Sequence, residues 1–341
     1  MILVTGATGF LGKSVVTALL KGGNEPVRCF VRNETADDSF DSIMRETGGG
    51  TLELCKGSFT NISDLNRALS GAERVIHLAS AKSGSVPVQI ANNVVGSENL
   101  FIAAKSSNIS RFVLCSSLGV IKASAVQKNG RIDEESKVDD HPEWRDAYSH
   151  SKIVQENLAW QYYREEKLPL VVVRPGVIFG PPDPLLTPRI GISLFGFFFH
   201  LGGGNVLPLT YKDNCADAIV EMAYQSNLDG QVFHVTDDDL PSSRKILRLY
   251  KRRVKAIRSI PLPYRVLRQV SKLNEWYSEK SFGHLPAIFT PYKVDTMWKG
   301  HLYSNAKIKK ALGWTPRVSM QDALNLTLQH EATHKRQEYA K

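Results

Sequence analysis

Ile2-Leu3-Val4-Thr5-Gly6-Ala7-Thr8-Gly9-Phe10-Leu11-Gly12 runs from an apolar stretch straight into three glycines. The reading is a short strand, a glycine-rich turn and a helix, in that order. Gly6 permits a tight turn, Gly9 lets the backbone approach a pyrophosphate, and Gly12 lets the helix pack onto the strand. The helix, read from about Lys13 to Lys21, aims its free N–H groups at the phosphates. The spacing is not G-x-G-x-x-G, so the strand–turn–helix setting carries the reading of a dinucleotide site. Thr8, Phe10 and Leu11 join the three glycines as candidate cofactor contacts.

The same alternation continues outward. Strands are expected at Ile2–Thr5, Val27–Val31, Leu52–Lys56, Val75–Leu78, Phe112–Ser116 and Leu170–Arg174. Helices are expected at Lys13–Lys21, Ile62–Leu69, Val88–Ser107 and Ala147–Glu166. Such alternation predicts an α/β fold, a doubly wound parallel sheet of Rossmann type. Ligands of these sheets bind beyond the carboxyl ends of the strands. Gly6, Arg32, Ala79 and Ser117 all sit at such ends. After Gly180 the texture changes, starting with the breaker cluster Pro181-Pro182-Asp183-Pro184. The expected division is a nucleotide-binding domain over 1–180, with 208–238 returning to it, and a smaller, mainly C-terminal substrate lobe over 181–341. Ile190–Leu201, rich in Phe, reads as a buried segment closing that lobe. The sharper alternative is an apolar substrate wall or a membrane-contacting lip.

Tyr148-Ser149-His150-Ser151-Lys152 places a phenol and an ammonium four residues apart, on one helical face. A neighbouring ammonium favours the phenolate, so Tyr148 is expected to lose its proton more readily than a free phenol. It could then exchange a proton near neutral pH.

Taken together, these stretches resemble the extended short-chain dehydrogenase/reductase family, the NAD-dependent epimerase/dehydratase superfamily, over most of the chain. Leu114-Cys115-Ser116-Ser117 looks like its strand-end serines, and Val75-Ile76-His77-Leu78-Ala79 like its fourth-strand motif beside the cofactor. Asn93-Val94-Val95-Gly96-Ser97-Glu98-Asn99-Leu100 looks like the helix motif that follows. Arg174-Pro175-Gly176-Val177-Ile178-Phe179-Gly180-Pro181 resembles the substrate-side loop. Asp213-Asn214-Cys215-Ala216-Asp217-Ala218 and Leu312-Gly313-Trp314-Thr315-Pro316 match later motifs. The resemblance implies that Tyr148 exchanges the proton at the substrate oxygen. It implies that Ser117 hydrogen-bonds that oxygen, and that Lys152 holds the nicotinamide ribose. Ala79, Pro175 and Val177 would touch the cofactor. Relatives commonly dimerise through the helices equivalent to Val88–Ser107 and Ala147–Glu166, so a homodimer is a further expectation.

Arg32 bears on the cofactor. An acid about 20 residues beyond the glycines usually binds the ribose 2′-hydroxyl. Here the second strand ends Phe30-Val31-Arg32-Asn33, and a guanidinium suits a 2′-phosphate instead. NADP(H) is therefore expected over NAD(H), with Arg28, on the same strand face, as a helper. Where the family commonly carries an acid after the third strand, near the adenine, this chain has Ser58.

The residues after the serine narrow the reaction. Ser117-Leu118-Gly119-Val120-Ile121 lacks the Asp-Glu pair that sugar dehydratases place there for water elimination. It also lacks the Val-Tyr-Gly run common in sugar epimerases. The expected activity is NADPH-dependent reduction of a ketone or aldehyde, or the reverse alcohol oxidation, by Ser117, Tyr148 and Lys152. In texture the chain is nearest to the dihydroflavonol-reductase and 3β-hydroxysteroid-dehydrogenase branches. The alternatives are a nucleotide-sugar epimerase and, from another class, a non-catalytic NADP(H) sensor or scaffold. No metal is expected. His330-Glu331-Ala332-Thr333-His334 matches H-E-x-x-H, but only seven residues follow it, and it reads as a frayed, solvated C-terminal helix.

The whole-chain properties fit this. At 341 residues with 42% hydrophobic and 23% charged content, the chain resembles ordinary soluble proteins. No run of about 18 apolar residues occurs, so no spanning helix is expected. The first strand begins at once, leaving no room for a signal peptide, and a cytoplasmic location is expected. Cys29, Cys55, Cys115 and Cys215 are scattered and read as buried thiols. The net charge of +9 is uneven: Arg244 to Lys272 carries eleven Lys or Arg and no Asp or Glu, leaving the remainder at −2. With apolar residues interleaved, the stretch reads as an amphipathic helix whose charge is a solvated face or else meets an anionic membrane or a phosphorylated substrate. Nucleic acid is not an expected partner, since no recognition module accompanies the charge.

Overall fold

Seven parallel strands form the central sheet of the computed structural model: β1 Ile2–Thr5, β2 Val27–Val31, β3 Leu52–Lys56, β4 Arg74–His77, β5 Arg111–Cys115, β6 Leu170–Pro175 and β7 Gln231–Val235. Residues 1–23, 25–32, 36–48, 50–281 and 289–339 are described. The spatial order is β7-β6-β5-β4-β1-β2-β3. From β1 the chain winds one way to β3, then returns to lay β4 on the other side of β1. That reversal opens a crevice at the carboxyl ends of β1 and β4. The expected doubly wound sheet is therefore present, and its first three strands have the expected bounds.

The strands are apolar on both faces because helices cover both. Ile2, Val4, Cys29, Ile76, Val113 and Val171 face one core, shared with Val15, Val16 and Leu19 of helix α1, Phe10–Gly22. Leu3, Phe30, Val75, Phe112 and Leu170 face the other, shared with Leu65, Leu100 and Ala159. Residues 212–224 form a helix that packs on α1, where Ser14 Oγ donates to Asp213 at 2.7 Å. That helix leads into β7.

Three sequence expectations are revised. The helix expected over Val88–Ser107 begins at Val86 and carries one π-helical turn, Ala91–Val95, before continuing to Lys105. Ile190–Leu201 is not a buried segment. Gly191–Leu194 and Phe197–His200 form an antiparallel hairpin, and Phe195 at its tip is 87% exposed. The basic stretch 244–272 is not one helix. It divides into a helix Ser243–Arg253, a strand Ser259–Pro261 and the start of a helix Tyr264–Lys280, with Pro261 and Pro263 interrupting between them.

A separate core, called the second lobe below, gathers Phe179, Leu209, Ile246, Leu247 and Tyr250 around Ala323, Leu324 and Leu328 of the helix Met320–Tyr339. That last helix is packed rather than frayed. The Glu331 carboxylate is buried and accepts a 2.6 Å hydrogen bond from the Leu185 amide, so the acid of the H-E-x-x-H match serves the fold. All four cysteines are buried free thiols. Among the described residues, no helix is long and apolar enough to cross a membrane.

Candidate active site

The glycine turn is built as its spacing requires. Gly6 has φ +70°, and a Cβ there would lie 2.6 Å from the Ala79 nitrogen, where β4 ends. A Cβ on Gly12 would lie 2.1 Å from the Gly6 carbonyl oxygen. Only glycine allows α1 to start this close to β1. The helix begins at Phe10, three residues before its expected start. Its N-cap, Gly9, offers no side chain, and the first turn carries no acid. The N–H groups of Phe10, Leu11 and Gly12 therefore point into the crevice without a helical partner, a ready cradle for a dinucleotide's phosphates.

The crevice is a cleft of about 300 Å³. Gly6, Thr8, Gly9, Phe10, Leu11 and Gly12 line one end with Arg32. Ser117, Tyr148 and Lys152 line it further along, with Ala79 and Pro175. Val177 does not line the cleft; Gly176 and Ile178 do. Extended residues alternate faces, and Val177 packs instead against the second lobe.

Tyr148 and Lys152 are placed by the helix Ala147–Glu166, whose cap Asp146 accepts from the Ser149 amide at 3.0 Å. Two serines follow β5 and point apart, Ser116 buried and Ser117 half-buried. Ser116 Oγ donates to Glu156, itself paired with buried Arg174 beneath the site. Ser117 Oγ accepts from the Gly119 amide at 3.0 Å and lies near enough to the Tyr148 phenol to oppose its upward shift. Ser117, not Ser116, is therefore the serine beside the phenol.

Electrostatics revise one expectation. Burial pushes the Tyr148 phenol above its ordinary value and the Cys115 sulfur adds to this, while Ser117 opposes it. Lys152 does not bring it down. Its ammonium, 1% exposed, donates to the Cys115 carbonyl at 2.9 Å and to Gln155 Oε1 at 2.8 Å. Burial lowers Lys152 to about 8, although Cys115 and Glu156 favour its charge. Near neutral pH the site thus holds a protonated phenol beside an ammonium, a proton donor at rest.

A buried polar chain continues behind Lys152. Gln155 Nε2 donates to Ser97 Oγ at 2.6 Å, and Ser97 and Thr5 bond the two nitrogens of His77 at 2.8 and 2.7 Å. Burial holds His77 neutral, at about 3. From the π-helical turn, Asn93 grips both backbone groups of Ala81, at 2.6 and 3.0 Å, and Ser151 Oγ at 2.9 Å. Asn93 thereby fixes the loop that carries Ala79 to Lys82 along the cleft. Sequence reading quoted Asn93 within a motif but could not give it this task, because π-helical turns have no clear sequence signature.

Four more residues refine the sequence reading. Arg28 is not a helper to Arg32: it is buried, donates to the carbonyls of Ala68 and Ser70 at 2.8 and 2.6 Å, and pairs with Glu53 at 3.0 Å. Phe30 and Phe59 pack edge to face with centroids 5.1 Å apart and line the Arg32 end of the cleft. Ser58, where an acid was expected, is exposed and gives its amide to Asp64 at 3.0 Å.

Comparison with known proteins agrees with the fold and the family resemblance. The family model "NAD dependent epimerase/dehydratase family" matches residues 2–233. The chain is 29% identical over 339 residues to human sterol-4-alpha-carboxylate 3-dehydrogenase, decarboxylating, covering 96% of this chain and 87% of that one. It is 31% identical over 253 residues to cinnamoyl-CoA reductase 1 of Arabidopsis thaliana, covering 71% and 67%. The solved UDP-glucuronic acid 4-epimerase of Bacillus cereus, in complex with NAD, superposes with a TM-score of 0.74 at 19% identity, covering 98% and 97%. With the glycine turn, the seven-stranded order and the Ser117–Tyr148–Lys152 cleft in place, the chain belongs to the NAD dependent epimerase/dehydratase family, within the extended short-chain dehydrogenases/reductases.

Proposed function

We infer that the protein is an NADP(H)-linked oxidoreductase that reduces a ketone or aldehyde on a largely apolar substrate, or runs the reverse alcohol oxidation. The observation that carries this reading is the resting state of the site. Tyr148 is a protonated phenol beside Ser117, in a cleft that ends at Arg32. The backbone of Gly6–Gly12 and the open N-terminus of α1 would hold the pyrophosphate, and Lys152 would hold the nicotinamide ribose. Bound there, the nicotinamide supplies or accepts hydride. Ser117 orients the substrate oxygen, and Tyr148 donates its proton there as negative charge develops. Lys152 acts by holding the ribose with its ammonium rather than by lowering the phenol.

Arg32 supports NADP(H). It is exposed at the end of β2 and lines the cleft where an acid would otherwise meet the ribose. The names of the similar proteins support an apolar carbon skeleton, a sterol in one and a cinnamoyl group in the other. Screening aliphatic, steroidal and aromatic ketones beside UDP-sugars tests the reading. Expected is protein purified largely free of cofactor that oxidises added NADPH with at least one ketone. Epimerisation of a UDP-sugar by the protein as purified, without net NADPH consumption, would overturn it.

A further inference from the structure

We propose that the second lobe docks on an anionic lipid surface through the Leu194–Phe197 hairpin tip and the outward stripe of the helix Tyr264–Lys280. The turn residues at the tip, Phe195 and Gly196, have φ +51° and +77°. Two positive φ values make a type I′ turn, which favours Asn-Gly or Asp-Gly. A bulky aromatic is an uncommon and costly choice there. Phe195 supports no core in exchange, being 87% exposed, with Leu194 at 47% beside it. Local chemistry gives no reason for a phenylalanine at this point, whereas burial outside the protein does.

The helix repeats the pattern. Its inner face sends Leu267 into an apolar cluster with Leu201, Val294 and Trp298. Ile192 and Phe199 of the hairpin pack against that same cluster, so both elements belong to one small body. On the outside, Val266, Val270, Leu273 and Tyr277 fall three and four residues apart and form one stripe, with Trp276 beside it. All five are exposed, Leu273 by 65%. Soluble surfaces scatter such residues singly; a contiguous stripe marks a contact surface.

Charge selects the occupant. The segment that leads into the helix and forms its first half, 244–272, carries +11 formal charge. Exposed Arg258 lies next to the hairpin, its carbonyl accepting from the Phe198 amide at 2.9 Å, and exposed Arg265 and Lys272 lie on the helix. Two carboxylates, Glu275 and Glu279, come only in its last two turns. An apolar stripe bordered by cations, with a Trp and a Tyr, matches a helix lying in a lipid interface. A second copy of the chain would instead bring cation against cation.

Docking does not depend on the reductase reading and is measured without turnover. Co-sedimentation would use vesicles of phosphatidylcholine alone and of phosphatidylcholine with about a third phosphatidylserine. Expected is binding to the second kind only, weakening as salt is raised, with a blue shift of tryptophan fluorescence that Trp276→Phe removes. Phe195→Asn relieves the turn and should keep the fold and NADPH binding, while weakening vesicle binding about tenfold to a hundredfold. Phe195→Asn/Leu273→Gln should weaken it further. The proposal is overturned if wild type ignores phosphatidylserine vesicles, or if the double variant binds them like wild type. A dimer in solution that Phe195→Asn dissolves would also overturn it, assigning the face to a second copy.

Discussion

Tyr148 carries the central chemical claim. Tyr148→Phe keeps the ring and removes the proton, so turnover should fall about a hundredfold to ten-thousandfold. NADPH affinity should change little. Steady-state rates beside a binding titration check both, and a near-normal rate would favour the non-catalytic sensor. Lys152 sets the pH window. It carries charge below about 8 and loses it above, because burial has lowered it from 10.5. Reduction should therefore slow as pH rises through about 8, and a profile flat from neutral into the alkaline range would contradict that role. At the cleft's other end, Arg32→Asp should reverse or erase the NADP(H) preference. Contacts to a 2′-phosphate at about 1.5–3 kcal/mol each predict a wild-type preference of at least about tenfold. Equal wild-type affinities for NADPH and NADH would contradict it. At this scale, spacing put Tyr148 and Lys152 on one helical face, resemblance pointed to Ser117, and the fold brings all three into one cleft with Arg32. What spacing and resemblance could not convey was the environment. The Tyr148 shift comes from burial, and Arg28 is taken up by helix-end carbonyls.

The elements whose hydrophobic pattern matched their burial were legible: β1, β2, β3 and the helices Ile62–Leu69 and Ala147–Glu166 have the expected bounds. The glycine turn was legible for a steric reason, which also makes it testable. Gly12→Ala would place a Cβ 2.1 Å from the Gly6 oxygen, and backbone cannot swing aside. A loss of about 1–3 kcal/mol in urea unfolding is expected, with weakened NADPH binding. Gly204→Ala, at a position with nothing within 4 Å, is the control and should be neutral. Elements governed by tertiary contacts were not legible. The Phe-rich Gly191–His200 hairpin reads as core by composition, but its tip faces outward. The helix Ala36–Thr47 was missed because its apolar residues are few, with Phe40 and Ile43 reaching the core. The π-helical turn at Asn93 reflects its grip on Ala81, which no local pattern records.

In the whole molecule, a two-faced parallel sheet supplies the cofactor end of the cleft, and a second lobe brings exposed apolar and cationic surface. The first was legible because strand–helix alternation constrains topology; the second was not, because most of its short strands pair across long stretches of sequence. Under the proposed function, the two parts would serve one reaction, hydride transfer between an exchangeable NADP(H) and a carbonyl in the Tyr148 cleft. The most direct test is mass spectrometry of the product formed from NADPH deuterated at nicotinamide C4, across the ketone panel. Transfer of one deuterium to the carbinol carbon, with matching loss of NADPH and none in Tyr148→Phe, is the expected result. No label in any alcohol, while the protein as purified epimerises a UDP-sugar without consuming NADPH, would contradict it.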